Sequence, residues 1–236
     1  MTTREARASL QPVQAKAGAS FGATADARAL LQPLEARATG HAHGSADAAA
    51  VAAIDEWLDA IGKLLPAITL KAVVLEHGEK TEDGTIVRAV APPWFDILKI
   101  IEEDPNSIYQ IDPFKWEEIV AGAYTRDGYG VILTPRSGDK GRDVIATKPG
   151  YVTVRIFDQV KAYKPGHLVT AEEVRAMIGV LTGAQNVSKG LVTTTSEFAP
   201  RIADDAFIKP FIPYQLDLKP RDALLAWLRK LARKTS

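Results

Sequence analysis

The 236-residue chain contains no cysteine, which excludes disulfides and cysteine-based zinc sites. Histidine is scarce: His41, His43, His77 and His167 are scattered and form no H-x-x-x-H or HExxH pattern, so a histidine-held metal is not expected. There is no excess charge of either sign. Lys and Arg total 29, Asp and Glu total 29, and the formal net charge is zero. No global field draws nucleic acid to the chain, so any such binding must rest on a local basic surface. No apolar run approaches the ~20 residues of a membrane span, and the N-terminus lacks the compact apolar core of a signal peptide. A cytoplasmic protein with no membrane contact is expected. What is present is 46% hydrophobic composition, enough for one domain with a sizeable core and some extra chain.

Residues 1–46 are rich in Ala, Gly, Ser, Gln and Arg and read as a flexible or loosely helical tail, with a partner-protein-binding arm as the alternative. Asp47 to Leu65 reads as a helix with Ile54, Trp57, Leu58 and Ile61 on one face, ended by Pro66, and Trp57 is expected in the core. Ile68–Leu75 and Thr85–Val90 alternate like strands around a Glu82-Asp83-Gly84 turn. These elements make 47–91 a small α+β accessory unit, and Pro92-Pro93 marks the boundary to 92–236. In that segment, helices are expected from Trp94 to Glu103, from Pro113 (capped by Asp112) to about Arg126, from a Thr170/Glu173 capping box to about Leu181, at 199–208 and at 220–234. Strands are expected at 129–134, 143–148, 152–162, 189–195 and 213–218. A hairpin followed by strands alternating with helices implies a mixed central sheet flanked by helices, an α/β fold.

The most informative stretch is Ser137–Tyr163. Asp143 opens one apolar run, where a carboxylate is expensive unless solvated or bound. A second run ends in Gln159-Val160-Lys161. Residues two apart on a strand share a face, so Gln159 and Lys161 project together while Asp158 points the other way. A Pro149-Gly150 turn can fold their strand back beside Asp143. The product is an oxygen cluster suited to a hard divalent metal, with an ammonium group next to it. On the helix that begins at Pro113, the residues Trp116, Ile119, Val120 and Ala123 define a buried stripe. Glu117 flanks that stripe and Glu118 lies on the far side.

The pattern D-x(15)-Q-x-K formed by Asp143, Gln159 and Lys161 resembles the PD-(D/E)xK nuclease core in its Mrr-like restriction endonuclease version. Four flanking blocks match in order: Asp112–Val120, Asp127-Gly128-Tyr129, Ser137–Asp143 and Lys189–Phe198. Together they cover roughly residues 92–230. The resemblance implies a restriction-endonuclease-like fold for 92–236, with a small N-terminal α+β unit. It implies a Mg²⁺- or Mn²⁺-dependent endonuclease acting on double-stranded DNA, in defence against foreign or modified DNA. It assigns Asp143, Gln159, the Val160 carbonyl and Glu117 to the metal, with Lys161 assisting the attacking water. Arg136, Ser137, Lys140, Arg142 and Lys164 are expected at the DNA backbone. Cutting both strands usually needs two sites, which points to a homodimer. The alternatives are a catalytically silent nuclease fold that binds DNA or assembles with partners, and a nuclease acting on branched DNA or RNA.

Overall fold

The computed structural model describes residues 46–135 and 141–233. The chain divides into two units between Glu56 and Trp57, and helix α1 (Ala46–Thr69) runs through that point. Within the second unit, one seven-stranded sheet follows chain order: β1 (Leu75–Lys80), β2 (Thr85–Ala89), β3 (Gly130–Leu133), β4 (Val144–Lys148), β5 (Val154–Lys161), β6 (Lys189–Thr194) and β7 (Leu216–Lys219). The first five strands pair antiparallel, and β5, β6 and β7 pair parallel.

Both faces of the sheet are covered. On one lie α2 (Ala91–Glu103), α3 (Pro113–Arg126) and α5 (Arg221–Arg233). Their apolar stripes bury Trp94, Ile97, Trp116, Ile119, Val120, Leu224 and Leu228 against Val144, Ala146, Ile156 and Val160 of the sheet. On the other face, Val174 and Met177 of α4 (Ala171–Gly183) pack on Ile145, Phe157 and Val192. The alternation of sheet residues between the two cores is the period-two rule made visible. α3 begins as its sequence dictates: the Asp112 side chain accepts from the Phe114 N–H at 2.9 Å, with Pro113 next in line. α4 begins on a complete Thr170/Glu173 capping box. α2 and α3 approach closely at Gly122, where a β-carbon would stand 2.9 Å from the Trp94 indole.

Several expectations need correcting. α1 continues through Pro66 to Thr69. The carbonyl that Pro66 cannot pair, on Gly62, lies on an exposed turn open to water. Ile68 to Val74 is therefore helix end and turn, and the first strand starts only at Leu75. Trp57 is 41% exposed rather than in the core, and Leu58, Leu64, Leu65 and Ile68 are exposed with it. The helix expected at 199–208 is instead a pair of short 3-10 turns, Ile202–Asp204 and Lys209–Phe211. Arg201 there is left-handed (φ 62°), and the Asp205 side chain takes the Phe207 N–H at 2.9 Å, an alternative to helical bonding. The sheet also runs across the boundary expected at 91/92. β2 pairs with β3, and Leu70, Val74, Leu75 and Val87 share a core with α2 and α3. The tail expected over 1–46 lies almost wholly outside the described residues.

Candidate active site

β5 lies between antiparallel β4 and parallel β6. Its residues 156, 158 and 160 face α3, and 157, 159 and 161 face α4, as the two cores require. Asp143 stands one residue before β4. Its N–H donates to the Asp158 carbonyl at 3.0 Å, and its Oδ2 accepts from the Val160 N–H at 2.6 Å. The carboxylate, on a residue 9% exposed, is thus held against β5 by backbone on either side of Gln159.

Gln159 is half-buried, and its Oε1 is sealed from solvent without a hydrogen-bond donor. An unsatisfied buried carbonyl costs about 1–3 kcal/mol, a cost that a cation would remove. A neutral amide oxygen beside a carboxylate fits a hard divalent ion that takes oxygen ligands. Among the described residues no three His, Asp or Glu side chains converge on one point, so the charge available to such an ion comes chiefly from Asp143. Glu117 is half-buried on α3, the helix on the face opposite Gln159 and Lys161. Its neighbours Trp116, Ile119, Val120 and Ala123 are all buried as expected. Glu118 is half-buried and paired with Lys115.

Lys161 carries its ammonium on the same face as Gln159, 3.7 Å from Oε1 of Glu173 on α4. The Tyr163 hydroxyl donates to the same oxygen, and the Tyr163 hydroxyl is pushed up to about 12 by partial burial and by that carboxylate. The sequence identifies Glu173 only as a helix cap. The turn of α4 that aims it at Lys161 is not visible in a linear pattern.

Arg142 was expected on a DNA backbone. Its guanidinium instead donates to Asp83 Oδ1 at 2.8 Å, with the side chain 11% exposed and lying over the Phe157 ring. Arg155 reaches Asp83 Oδ2, also at 2.8 Å. Asp83 sits in the β1–β2 turn beside Gly84, whose φ of 149° and 2.2 Å gap between a hypothetical β-carbon and the Leu133 carbonyl oxygen admit only glycine. The hairpin turn is thereby pressed onto the segment leading into Asp143, a role no motif announces. Lys164 is exposed just beyond β5. Arg136, Ser137 and Lys140 lie outside the described residues.

On the α3 face of β5, Asp158 is fully buried. Its Oδ2 accepts from the Tyr124 hydroxyl and the Thr193 hydroxyl, each at 2.9 Å. Burial pushes its carboxyl above the ordinary range, against the pull of the nearby Lys219 ammonium and those hydrogen bonds. Lys219 itself lies over the Trp227 ring at 3.7 Å, and burial lowers its pKa against the opposing charge of Asp158. The hydroxyl run at the end of β6 is structural. Thr194 donates to the Lys161 carbonyl at 2.7 Å, Thr195 to that of Tyr163 at 2.9 Å, and Ser196 to that of His167 at 2.7 Å.

No helix among the described residues is long and apolar enough to cross a membrane. No curated protein matches the chain. Among solved structures, the chain is similar to the MspJI restriction endonuclease in complex with a 27-mer oligonucleotide, at 16% identity, 67% coverage of this chain and a TM-score of 0.35. It is also similar to the DNA modification-dependent restriction endonuclease AspBHI, at 21% identity, 67% coverage and a TM-score of 0.38. It spans only 38% and 39% of those longer proteins. Residues 108–228 match the family model described as Restriction endonuclease; that is just over half of the chain, it takes in the α3 helix, Asp143 and the QxK strand, and the chain belongs to the Mrr catalytic-domain family of restriction endonucleases.

Proposed function

We propose that the protein is a metal-dependent endonuclease hydrolysing phosphodiester bonds of double-stranded DNA, serving defence against foreign or modified DNA. The observation that carries this reading is the donorless, buried Oε1 of Gln159 beside the clasped carboxylate of Asp143. Asp143, Gln159 and the Val160 carbonyl would hold Mg²⁺ or Mn²⁺, while Glu117, on the α3 face, is left out of that set. When bound, the ion would supply Lewis-acid polarisation of the scissile phosphodiester. Asp143 contributes the negative charge and Gln159 a neutral oxygen. Lys161 orients the attacking water and donates to the charge that grows on the phosphoryl oxygens. Lys164 and the basic residues before Asp143 would position the duplex, with Arg142 acting through its fixed place in the Asp83 clamp rather than as a free phosphate contact. The continuity of β2 with β3 supports counting the hairpin at 75–89 as part of the nuclease domain. A homodimer would bring two such sites to the two strands.

The test is a substrate panel of methylated and unmodified duplex, single strand, branched junction and RNA, each with Mg²⁺ and with Mn²⁺. Cutting of duplex DNA that needs metal and Asp143 is the expected result. Equal cutting by wild type and Asp143→Asn, or exclusive cutting of RNA or junctions, would sink the reading.

A further inference from the structure

The capping box at the start of α4 uses one oxygen of Glu173. Oε2 accepts from the Thr170 N–H at 2.9 Å and from the Thr170 hydroxyl at 3.0 Å. A capping residue needs nothing more. The other oxygen is turned inward, where it takes the Tyr163 hydroxyl and stands 3.7 Å from the Lys161 ammonium. Both members of this pair are largely enclosed, Lys161 at 23% and Glu173 at 25% side-chain exposure.

We propose that Glu173 is a positioning residue for Lys161, a fixed carboxylate that holds the ammonium over the Gln159 face of β5. The inference rests on the reading of Lys161 as the group that assists hydrolysis. Lysine carries its charge on a flexible four-carbon stem, so its head must be restrained if it is to meet a transition state in one geometry. Here both ends are restrained. The Thr194 hydroxyl holds the Lys161 carbonyl, and the Thr195 hydroxyl holds that of Tyr163. Glu173 holds the head, and its own place is set by the cap below it and the Tyr163 hydroxyl beside it. At 3.7 Å the pair is an ion pair rather than a hydrogen bond, so the three ammonium donors stay available for water and phosphate. Partial burial raises the Glu173 carboxyl, but hydrogen bonds from the Thr170 backbone, Tyr163 and the Thr170 hydroxyl, with the Lys161 charge, outweigh it and leave the pKa lowered. The carboxylate is thus anionic at neutral pH.

Glu173→Gln separates this role from capping, because glutamine serves equally at that position of a capping box. Two measurements on the full chain decide the matter. The first is the rate at which an amine-reactive reagent labels Lys161, read by peptide mass spectrometry without DNA or metal. It should rise several-fold in Glu173→Gln. The second is single-turnover cleavage of duplex DNA with Mg²⁺, which should slow roughly 10- to 100-fold, while DNA affinity stays at the wild-type value and the thermal midpoint falls only slightly. Tyr163→Phe should move both readouts in the same direction by less. Unchanged labelling and unchanged cleavage in Glu173→Gln would reduce the residue to a cap and overturn the proposal. A wild-type protein that cuts nothing would defeat the nuclease reading alone; the labelling rate would still decide the tether, and no change in it would overturn the proposal.

Discussion

Asp158 and Gln159 are consecutive on β5 and face opposite sides of the sheet. Toward α3, Asp158 is fully buried: two hydroxyls donate to its Oδ2, its Oδ1 has no donor, and an ammonium stacked on Trp227 stands nearby. Toward α4, Gln159 keeps one oxygen sealed from water with no donor. A clasped carboxylate lies beside it, and a tethered lysine follows two residues on. The carboxylate on the α3 face joins secondary structure together, tying α3 and β6 to β5. Each face leaves one buried acceptor without a donor, and the one toward α4 lies on the same face as a second carboxylate and a lysine. Satisfied polar groups are architecture, and a buried unsatisfied one needs a further explanation. For Asp158 the Lys219 counter-charge meets that need, and for Gln159 the proposed ion would.

The largest effect should come from the α3 face. Asp158→Ala strands the Tyr124 and Thr193 hydroxyls and leaves the Lys219 charge without its counter-charge, so it should cost about 3–5 kcal/mol of stability, read from urea unfolding. A loss below ~1 kcal/mol would show that Asp158 is not the keystone of that face. Next, Asp143→Asn keeps an acceptor for the Val160 N–H but removes the charge. Cleavage should fall on the order of 100–1000-fold, while stability stays within about 1 kcal/mol. A destabilisation as large as that of Asp158→Ala would erase the distinction between the faces. Third, Gln159→Glu adds a charged oxygen at the orphan acceptor and should tighten Mn²⁺ binding by about an order of magnitude, or ~1.4 kcal/mol, in a titration monitored by calorimetry. Weaker binding in that variant would place the ion elsewhere.

The smallest effect is in the pH dependence of stability, where two carboxylates should act with opposite sign. Asp158 has its folded pKa raised above 3.8 by burial, so its contribution is fully present below that value and is lost as pH rises through the folded pKa. Glu173 has its folded pKa lowered below 4.5, so its contribution is present above about that value and is lost as pH falls through the folded pKa. Urea unfolding between about pH 3 and pH 6 should show the wild type losing ground to Asp158→Asn as pH rises. It should gain ground on Glu173→Gln over the same range. Parallel slopes for the two variants would contradict the assignment.

Much of the fold was legible because it follows from local rules. Asp112-Pro113 marks a helix start through one side-chain bond and one absent N–H. Thr170 with Glu173 does the same by a reciprocal pair. The Pro149-Gly150 turn places β4 beside β5. Period-two alternation put Gln159 and Lys161 on one face and removed Asp158 from it. Misreadings arose where spacing and composition do not encode the contacts a residue makes. Trp57 looks like a core residue by its helical spacing, yet the helix leaves it exposed. Residues 199–208 have a helical composition, but the Asp205 side chain and the left-handed Arg201 divert the backbone. Arg142 looks like a phosphate ligand because sequence cannot show that a turn 59 residues earlier delivers Asp83 to it.

The sequence by itself determined the strands that carry Asp143, Gln159 and Lys161, and the order in which α3, β4, β5 and β6 follow one another. Those depend on neighbours a few residues apart, through turn chemistry, capping and the alternation of side chains on a strand. Only the tertiary structure decided what surrounds each polar group. It turned Glu173 inward to Lys161, brought Asp83 of the β1–β2 turn onto Arg142 and Arg155, joined that hairpin to the main sheet, and left the Gln159 oxygen without a donor. Each of these depends on which elements pack over a given point of the sheet, and that packing is settled by the whole set of buried faces at once rather than by any one segment.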